Sequence, residues 1–153
     1  MSDNHIQVVQ ATIEDLEGLV RIFDQYRVFY KKPSDLDGAR QFLFEKFEHQ
    51  ESIIFAAKDT GAGEIVGFTQ LYPSFSSLSM KRVWILNDLY VNDQYRRLGI
   101  ATRLMNRAKE FAVQTQAKGI QLETAVDNER AQKLYESLGY ERHEAAYHYF
   151  LFL

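Results

Sequence analysis

The 153-residue chain contains no cysteine and only two prolines. The missing cysteine excludes disulfide bonds, cysteine-based metal sites and a cysteinyl acyl-enzyme, and it fits a cytoplasmic protein. Long apolar runs are missing too: the first ten residues lack the apolar core of a signal peptide, and no stretch approaches the length of a membrane span. We therefore expect a cytoplasmic protein that has no membrane partner.

The sequence also lacks a positive excess, because 18 Lys and Arg against 21 Asp and Glu give a net charge of −3. Nucleic-acid binding proteins usually carry a basic excess, so we expect no nucleic-acid partner. A slightly acidic protein attracts a cationic ligand somewhat more easily. The four histidines show no metal-ligand spacing, and no metal is expected.

The length and the ordinary composition predict a single domain, residues 1–153. Hydrophobic periodicity predicts the order β-α-α-β-β-β-α-β-α-β-β. Strands are predicted at Ile6–Val9, Ser52–Ala57, Glu64–Leu71, Met80–Val91 and Ile120–Val126, and in the tail Ala145–Leu153. Helices are predicted behind a capping box at Thr12–Asp15, after Pro33 with Ser34 as N-cap, from Leu98 to a stop at Gly119, and over Asn128–Leu138.

The order of these elements indicates the kind of sheet. The strand–helix–strand unit over residues 83–126 predicts a parallel pair, whereas the earlier hairpins predict antiparallel pairs. The sequence therefore predicts an α/β fold with a mixed sheet and helices on its faces.

The stretch YRRLGIATRL, Tyr95–Leu104, places two arginines and a glycine where a helix is predicted to begin. Backbone N–H groups at such a helix start can bind phosphate, and Gly99 allows the backbone to approach a ligand closely. The chain has no P-loop, and Gly61-x-Gly63 lacks the third glycine of a Rossmann fingerprint. A loop with solvated charges is the alternative interpretation.

Two further stretches bear on this choice. LNDLYV, Leu86–Val91, places two polar residues inside an apolar strand that leads into the loop. DNERAQKLYESLGYE, Asp127–Glu141, has Asn128 at a helix start, Ala131 and Tyr135 four residues apart on one face, and a closing Gly-Tyr.

In this order and spacing, the motifs resemble those of the GNAT family of acetyl-CoA-dependent N-acetyltransferases, and the LNDLYV strand is similar to that of its polyamine and histone-type members. The resemblance covers essentially the whole chain. It implies the GNAT fold, in which about four helices flank a central mixed, mostly antiparallel sheet. It also implies acetyl-CoA as cosubstrate.

The resemblance assigns cofactor contacts to three segments. The segment Leu89–Val91 would contact the pantetheine arm, with the Val91 N–H near the thioester oxygen, where it would act as an oxyanion hole. Asn128 would bond the pantetheine with Ala131 beside it, and the arginine loop would hold the pyrophosphate. The segment at the pantetheine arm consists of Leu89, Tyr90 and Val91. The arginine loop consists of Arg96, Arg97, Leu98, Gly99, Ile100, Ala101 and Thr102.

The resemblance identifies a candidate general acid more directly than a general base. Tyr135 matches the general acid of the family, since a phenol with a reference pKa near ~10 keeps its proton at neutral pH; a core tyrosine is the alternative. Asn87 stands where polyamine acetyltransferases have a glutamate, and an amide cannot act as a base. That role falls to Asp88, to Glu123 on the neighbouring strand or to a chain of water molecules, although Asp88 also fits a buried carboxylate satisfied by backbone donors.

The acceptor is expected to be a primary amine, either a small molecule such as a polyamine or a protein lysine. Tyr26 and Tyr30 of the aromatic first helix, together with Asn87 and Asp88, are the predicted acceptor contacts, and Tyr72–Ser77 is predicted to form a hairpin loop beside them. No acyl-enzyme nucleophile is recognisable, so acetyl should pass directly to the amine in a ternary complex. A non-catalytic module that binds or senses acyl-CoA is the alternative. The β-prone tail, Tyr147–Leu153, predicts strand exchange or edge pairing in a homodimer.

Overall fold

A single five-stranded sheet in the order β1-β2-β3-β4-β5 organises the part of the chain that the computed structural model describes, residues 5–153. The first four strands pair antiparallel with their neighbours, and β5 joins β4 in parallel. The predicted mixed, mostly antiparallel sheet is therefore confirmed. The strands are β1 Ile6–Gln10, β2 Ile53–Asp59, β3 Glu64–Ser76, β4 Lys81–Val91 and β5 Gly119–Gln121.

Four α-helices accompany these strands within residues 5–153: α1 Leu16–Phe29, α2 Leu36–Glu48, α3 Ile100–Gln114 and α4 Glu129–Ser137. Single 3₁₀ turns precede α1 at Ile13–Asp15 and α3 at Asp93–Tyr95. The predicted capping box is present, because the Thr12 hydroxyl accepts from Glu14 N and Asp15 Oδ2 accepts from Thr12 N. None of the helices described in the structure is long and apolar enough to cross a bilayer.

Helices cover both faces of the sheet, as the alternation along β2 shows. Ile54 and Ala56 belong to the core formed with α1 and α2. The intervening Phe55 points to the opposite face, where its ring lies 5.6 Å from that of Phe111 on α3. Because successive side chains of a strand face opposite sides, burial of all three requires cover on both sides.

The predicted N-cap of α2 was wrong. Asp35 caps this helix by accepting from Gly38 N at 2.9 Å, while the Ser34 hydroxyl donates to Asp24 at 2.7 Å. Asp24 is a buried carboxylate on α1 and also accepts from Asp35 N at 2.8 Å. Since a buried carboxylate needs donors, it engages the Ser34 side chain that would otherwise cap the helix.

The predicted ends of two further elements also need correction. β3 continues to Ser76, so Tyr72–Ser77 is not a hairpin loop; the turn occupies residues 77–80. Helix α3 ends at Gln114 with Thr115 as C-cap, and Gly119 begins β5 instead of ending the helix. The connection from α3 to β5 includes Gln116, which adopts a positive φ of 58°.

Of the last two predicted strands, the first forms only in part and the second does not form in the described residues. β5 stops at Gln121, well short of Val126, and residues 145–153 contain no strand. A strand persists only where a neighbour pairs with its backbone, and the ladder between β5 and β4 ends opposite Ile85, close to an irregularity in β4. β-propensity alone therefore overestimates the strand content of this end of the chain.

The backbone divides into two compact units, the first ending at Leu122 and the second comprising Glu123–Leu153. The first contains the whole sheet with α1 to α3, and the second contains α4. That the chain forms a single domain remains a prediction.

Candidate active site

The irregularity in β4 is a bulge at Asn87. Gln70 of β3 pairs with Asp88, and the next residue, Leu71, pairs with Leu86, so that Asn87 is the extra residue. Asn87 is exposed, whereas Asp88 is buried. Bulges turn side chains out of the regular alternation and are frequent next to active sites.

Asp88 has several hydrogen-bond donors. Gln70 Nε2 donates to its Oδ2 at 2.7 Å, and Asn87 Nδ2 donates to its Oδ1 at 3.2 Å. The Thr69 hydroxyl donates to the main-chain oxygen of Asp88 at 2.8 Å. Within residues 5–153, no Lys or Arg lies within 4.0 Å of this carboxylate. The site therefore holds a buried carboxylate that has no Lys or Arg partner in the part of the chain that the structure describes.

Two phenols face the same carboxylate. Burial, the negative charge of Asp88 and a hydrogen bond with it raise the pKa of Tyr26 far above its ordinary value. Burial and the charge of Asp88 raise the pKa of Tyr72 to about 12. Both hydroxyls thus remain protonated at neutral pH. Tyr30 lies on the exposed side of Tyr26, with their rings 5.2 Å apart.

The end of β4 has one edge that β5 does not cover. In the described chain, the ladder between β4 and β5 ends at the pair Ile85–Gln121, whereas β4 continues to Val91. Asn92 N donates to Val66 O at 2.8 Å. Because the N–H groups of a strand alternate between its two edges, the Val91 N–H points to the uncovered edge. Leu89 and Val91 thus direct their N–H groups to an edge at which an extended ligand can form hydrogen bonds.

The loop after β4 is anchored before it reaches α3. The Tyr95 hydroxyl donates to Asp59 Oδ2 at 2.6 Å. Arg97 and Gly99 both have a positive φ, of 67° and 76°, and Gly99 is the N-cap of α3. The first helical hydrogen bond runs from Arg103 N to Gly99 O at 3.1 Å.

This geometry gives the loop the properties of an anion site. The amides of Ile100, Ala101 and Thr102 precede the first helical donor, so they have no acceptor inside the helix. A Cβ built on Gly99 would meet nothing within 4 Å. The room beside Gly99 and the helix start together fit a phosphate group.

The two arginines of this loop differ in position. Arg96 Nε donates to Val91 O at 3.1 Å, and Arg96 Nη1 lies 2.7 Å from Asp93 Oδ1. The Arg96 guanidinium also lies 5.1 Å from the ring centre of Phe29 and 5.6 Å from that of Tyr90. Arg96 therefore links the loop to β4 and α1, whereas Arg97 is exposed beside Leu98.

The second unit contains the remaining predicted residues. Asn128 caps α4 by accepting from Ala131 N at 3.2 Å. Tyr135 is half-buried on α4, and its ring lies 6.1 Å from that of Tyr140. Glu123 was expected on a strand but follows the end of β5, because β5 stops at Gln121; its side chain is 84% exposed and lies 3.7 Å from His148 Nδ1.

Two residues near Asp88 were not among the predicted site residues. Gln70 is wholly buried and donates a hydrogen bond directly to the carboxylate of Asp88. Tyr72 was assigned to a loop but lies on β3. Both residues lie in or beside the apolar part of β3. The polar pair Thr69-Gln70 within it is the sequence feature that could have indicated Gln70 as a site residue.

Comparison with known proteins connects this geometry to a family. The family model described as Acetyltransferase (GNAT) family matches residues 18–140. An uncharacterised N-acetyltransferase of Bacillus subtilis, YhfO, is 45% identical over 146 residues, which are 95% of this chain and 97% of that protein. A probable acetyltransferase of Haemophilus influenzae is 29% identical over 120 residues, 78% of this chain and 82% of that protein.

Solved structures agree. The crystal structure of a probable acetyltransferase has a TM-score of 0.90 and 44% identity, covering 96% of this chain and 97% of that one. An aminoglycoside N-acetyltransferase in complex with CoA shares the fold with a TM-score of 0.79 at 19% identity, covering 96% and 95% of the two chains.

The chain belongs to the GNAT acetyltransferase family and is an enzyme of the transferase class. Members of this family use acetyl-CoA. The family and fold class that the motifs indicated are thus confirmed, while the roles of individual residues remain predictions.

Proposed function

We propose that the protein transfers the acetyl group of acetyl-CoA directly to a primary amine within a ternary complex. The observation that carries this proposal is the buried carboxylate of Asp88, which has no Lys or Arg partner among residues 5–153 and directly precedes Leu89 on the uncovered β4 edge. An amine reaches the site as an ammonium ion, and its positive charge would compensate the buried carboxylate.

Asp88 is the base in this mechanism. Its carboxylate accepts a proton from the ammonium nitrogen, which leaves the nitrogen lone pair free to attack the thioester carbonyl. Glu123 is less suited to the role, because an exposed carboxylate paired with His148 has no desolvated environment. The exposed amide of Asn87 and the rings of Tyr26 and Tyr30 would border the acceptor.

Three groups would act on acetyl-CoA. The Val91 N–H on the uncovered edge would stabilise the negative charge that develops on the carbonyl oxygen. The amides of Gly99 to Thr102 with Arg97 would hold the pyrophosphate, and Asn128 with Ala131 would contact the pantetheine. Arg96, whose Nε donates a hydrogen bond to Val91 O, would hold this loop against the end of β4.

Tyr135 would donate the proton that the departing thiolate requires. This assignment rests on the family motif, because Tyr135 follows the cap Asn128 by seven residues on α4. A phenol remains protonated at neutral pH and can therefore act as an acid there.

The acceptor is a small amine, a polyamine or a protein lysine, and the protein acts as a homodimer in the cytoplasm. The exposed aromatic tail supports the dimer, since Tyr147, Tyr149 and Phe152 are each at least 85% exposed. Light scattering of the wild-type protein and of a chain shortened at residue 144 measures whether this segment joins two copies.

Thiol release from acetyl-CoA in the presence of a panel of amines tests the proposed activity. We expect amine-dependent release together with a product heavier by one acetyl group. Asp88→Asn is the matched control, because it keeps the size of the side chain and removes the base. Binding of acetyl-CoA without turnover of any amine would instead indicate the non-catalytic module.

A further inference from the structure

We propose that Gln70 is a positioning residue of the acetyl transfer, which acts by holding one oxygen of Asp88 so that the other faces the amine. This inference rests on the proposed function, in which Asp88 accepts the proton of the ammonium ion. Gln70 belongs to β3 and lies directly opposite Asp88 at the β4 bulge.

The contact is short and enclosed. Gln70 is 0% exposed, and its Nε2 donates to Asp88 Oδ2 at 2.7 Å. A hydrogen bond from an amide to a carboxylate is charge-assisted and therefore stronger than one between neutral groups. It restrains the carboxyl group to one rotation about its Cβ–Cγ bond.

Burial of this amide is unfavourable for the fold. The other polar atom of the side chain, Gln70 Oε1, has no hydrogen-bond partner among the described residues. An apolar side chain, like those of its neighbours Phe68 and Leu71 in β3, would avoid this penalty. Packing alone therefore does not explain a glutamine here, whereas the contact with Asp88 does.

The two carboxylate oxygens consequently differ. Oδ2 accepts the 2.7 Å hydrogen bond of the buried Gln70, whereas Oδ1 accepts a longer, 3.2 Å hydrogen bond from the exposed amide of Asn87. The groups that face the carboxylate from the other elements are neutral: Tyr26 from α1 and Tyr72 from β3. Oδ1 is thus the oxygen that takes the ammonium proton, and the nitrogen keeps the electron pair of the broken N–H bond.

Two substitutions at this position separate the proposed role from a structural one. Gln70→Glu keeps the shape and places a second carboxyl group beside Asp88. Because neighbouring carboxylates cannot both ionise easily, we expect the acid limb of the kcat/KM profile for the amine to move to higher pH by about one unit or more. Gln70→Met keeps the length but frees Oδ2, and misplacement of a reacting group lowers kcat by up to about 100-fold.

Thr115→Val serves as a control for lost stability. It removes the acceptor of the 2.9 Å hydrogen bond from Trp84 Nε1, which connects the C-cap of α3 to the same strand β4. We expect this variant to melt at a lower temperature while its pH profile and its KM for the amine stay as in the wild type. The affinity of all three variants for coenzyme A should be unchanged.

The outcomes distinguish the two proposals. A wild-type enzyme that acetylates no amine overturns the proposed function and this inference with it. An active wild type with normal pH profiles and normal kcat in both position-70 variants overturns only the role of Gln70. Unfolding of both variants, with Thr115→Val folded, would assign Gln70 to stability and would also contradict the proposal.

Discussion

The proposed pyrophosphate loop permits a controlled test, because the chain contains two glycines of nearly the same φ. Gly99 at the start of α3 has a φ of 76°, and Gly63 in the turn between β2 and β3 has a φ of 73°. A Cβ would meet nothing within 4 Å at either position. Gly99→Ala and Gly63→Ala therefore both place an alanine at a positive φ without a steric clash, but only the first lies at the proposed site.

The expected magnitudes follow from this comparison. A left-handed alanine costs about 1–2 kcal/mol, part of which is offset by the lower entropy of the unfolded chain. Both variants should consequently melt a few degrees lower, since about 1 kcal/mol shifts the Tm of a chain of this size by roughly 2–4 °C. At Gly99 the added methyl group would also displace a phosphate from the amides, and one charge-assisted hydrogen bond is worth about 1.5–3 kcal/mol.

Calorimetric titration with coenzyme A measures the difference. The lost hydrogen bond corresponds to a Kd raised roughly 10- to 100-fold in Gly99→Ala, whereas Gly63→Ala should bind as the wild type does. Titration with pantetheine, which lacks the pyrophosphate, should show no difference between the two variants. Equal affinity of both variants for coenzyme A would refute the assignment of the loop.

Three further predictions concern turnover and the core. Tyr135→Phe should lower kcat by about 10²–10⁴-fold with little change in coenzyme A affinity, as expected when a general acid is removed; parallel lines in a two-substrate initial-velocity plot of the wild type would argue for a ping-pong route instead. Asp88→Asn should reduce turnover most near neutral pH and less at alkaline pH, where free amine is available, and a uniform loss at every pH would contradict a base. Leu104→Ala, at a position that is 0% exposed on α3, should lower the free energy of unfolding by about 2–5 kcal/mol in urea denaturation without changing kcat per folded molecule.

Local features of the site could be predicted from the sequence. The glycine before α3, the small Ala101 and the cap Asn128 act within one or two helical turns, so their spacing along the chain is their spacing in space. The capping box at Thr12 is a similar case. These motifs identified the family because the backbone geometry of a loop and a helix start depends mainly on neighbouring residues.

Strand ends were predicted less well, for a different reason. β3 extends through Pro73 to Ser76 because β4 pairs with it along that whole length. β5 stops at Gln121 although Thr124 and Val126, which follow it, have strand-forming side chains. Strand length depends on the partner, and the partner is distant in sequence.

The chemistry around Asp88 depended on tertiary structure in the same way. The sequence contained an asparagine and an aspartate in one strand, but it did not indicate which is exposed or what each contacts. Pairing of β3 with β4 makes Asn87 the bulged residue and places Gln70, eighteen positions earlier, against the carboxylate of Asp88. Likewise, the sequence placed Arg96 on the phosphate loop, while packing of α1 against β4 brings its guanidinium over Phe29. Register and helix packing bring together residues far apart along the chain, and for that reason only the folded structure revealed these contacts.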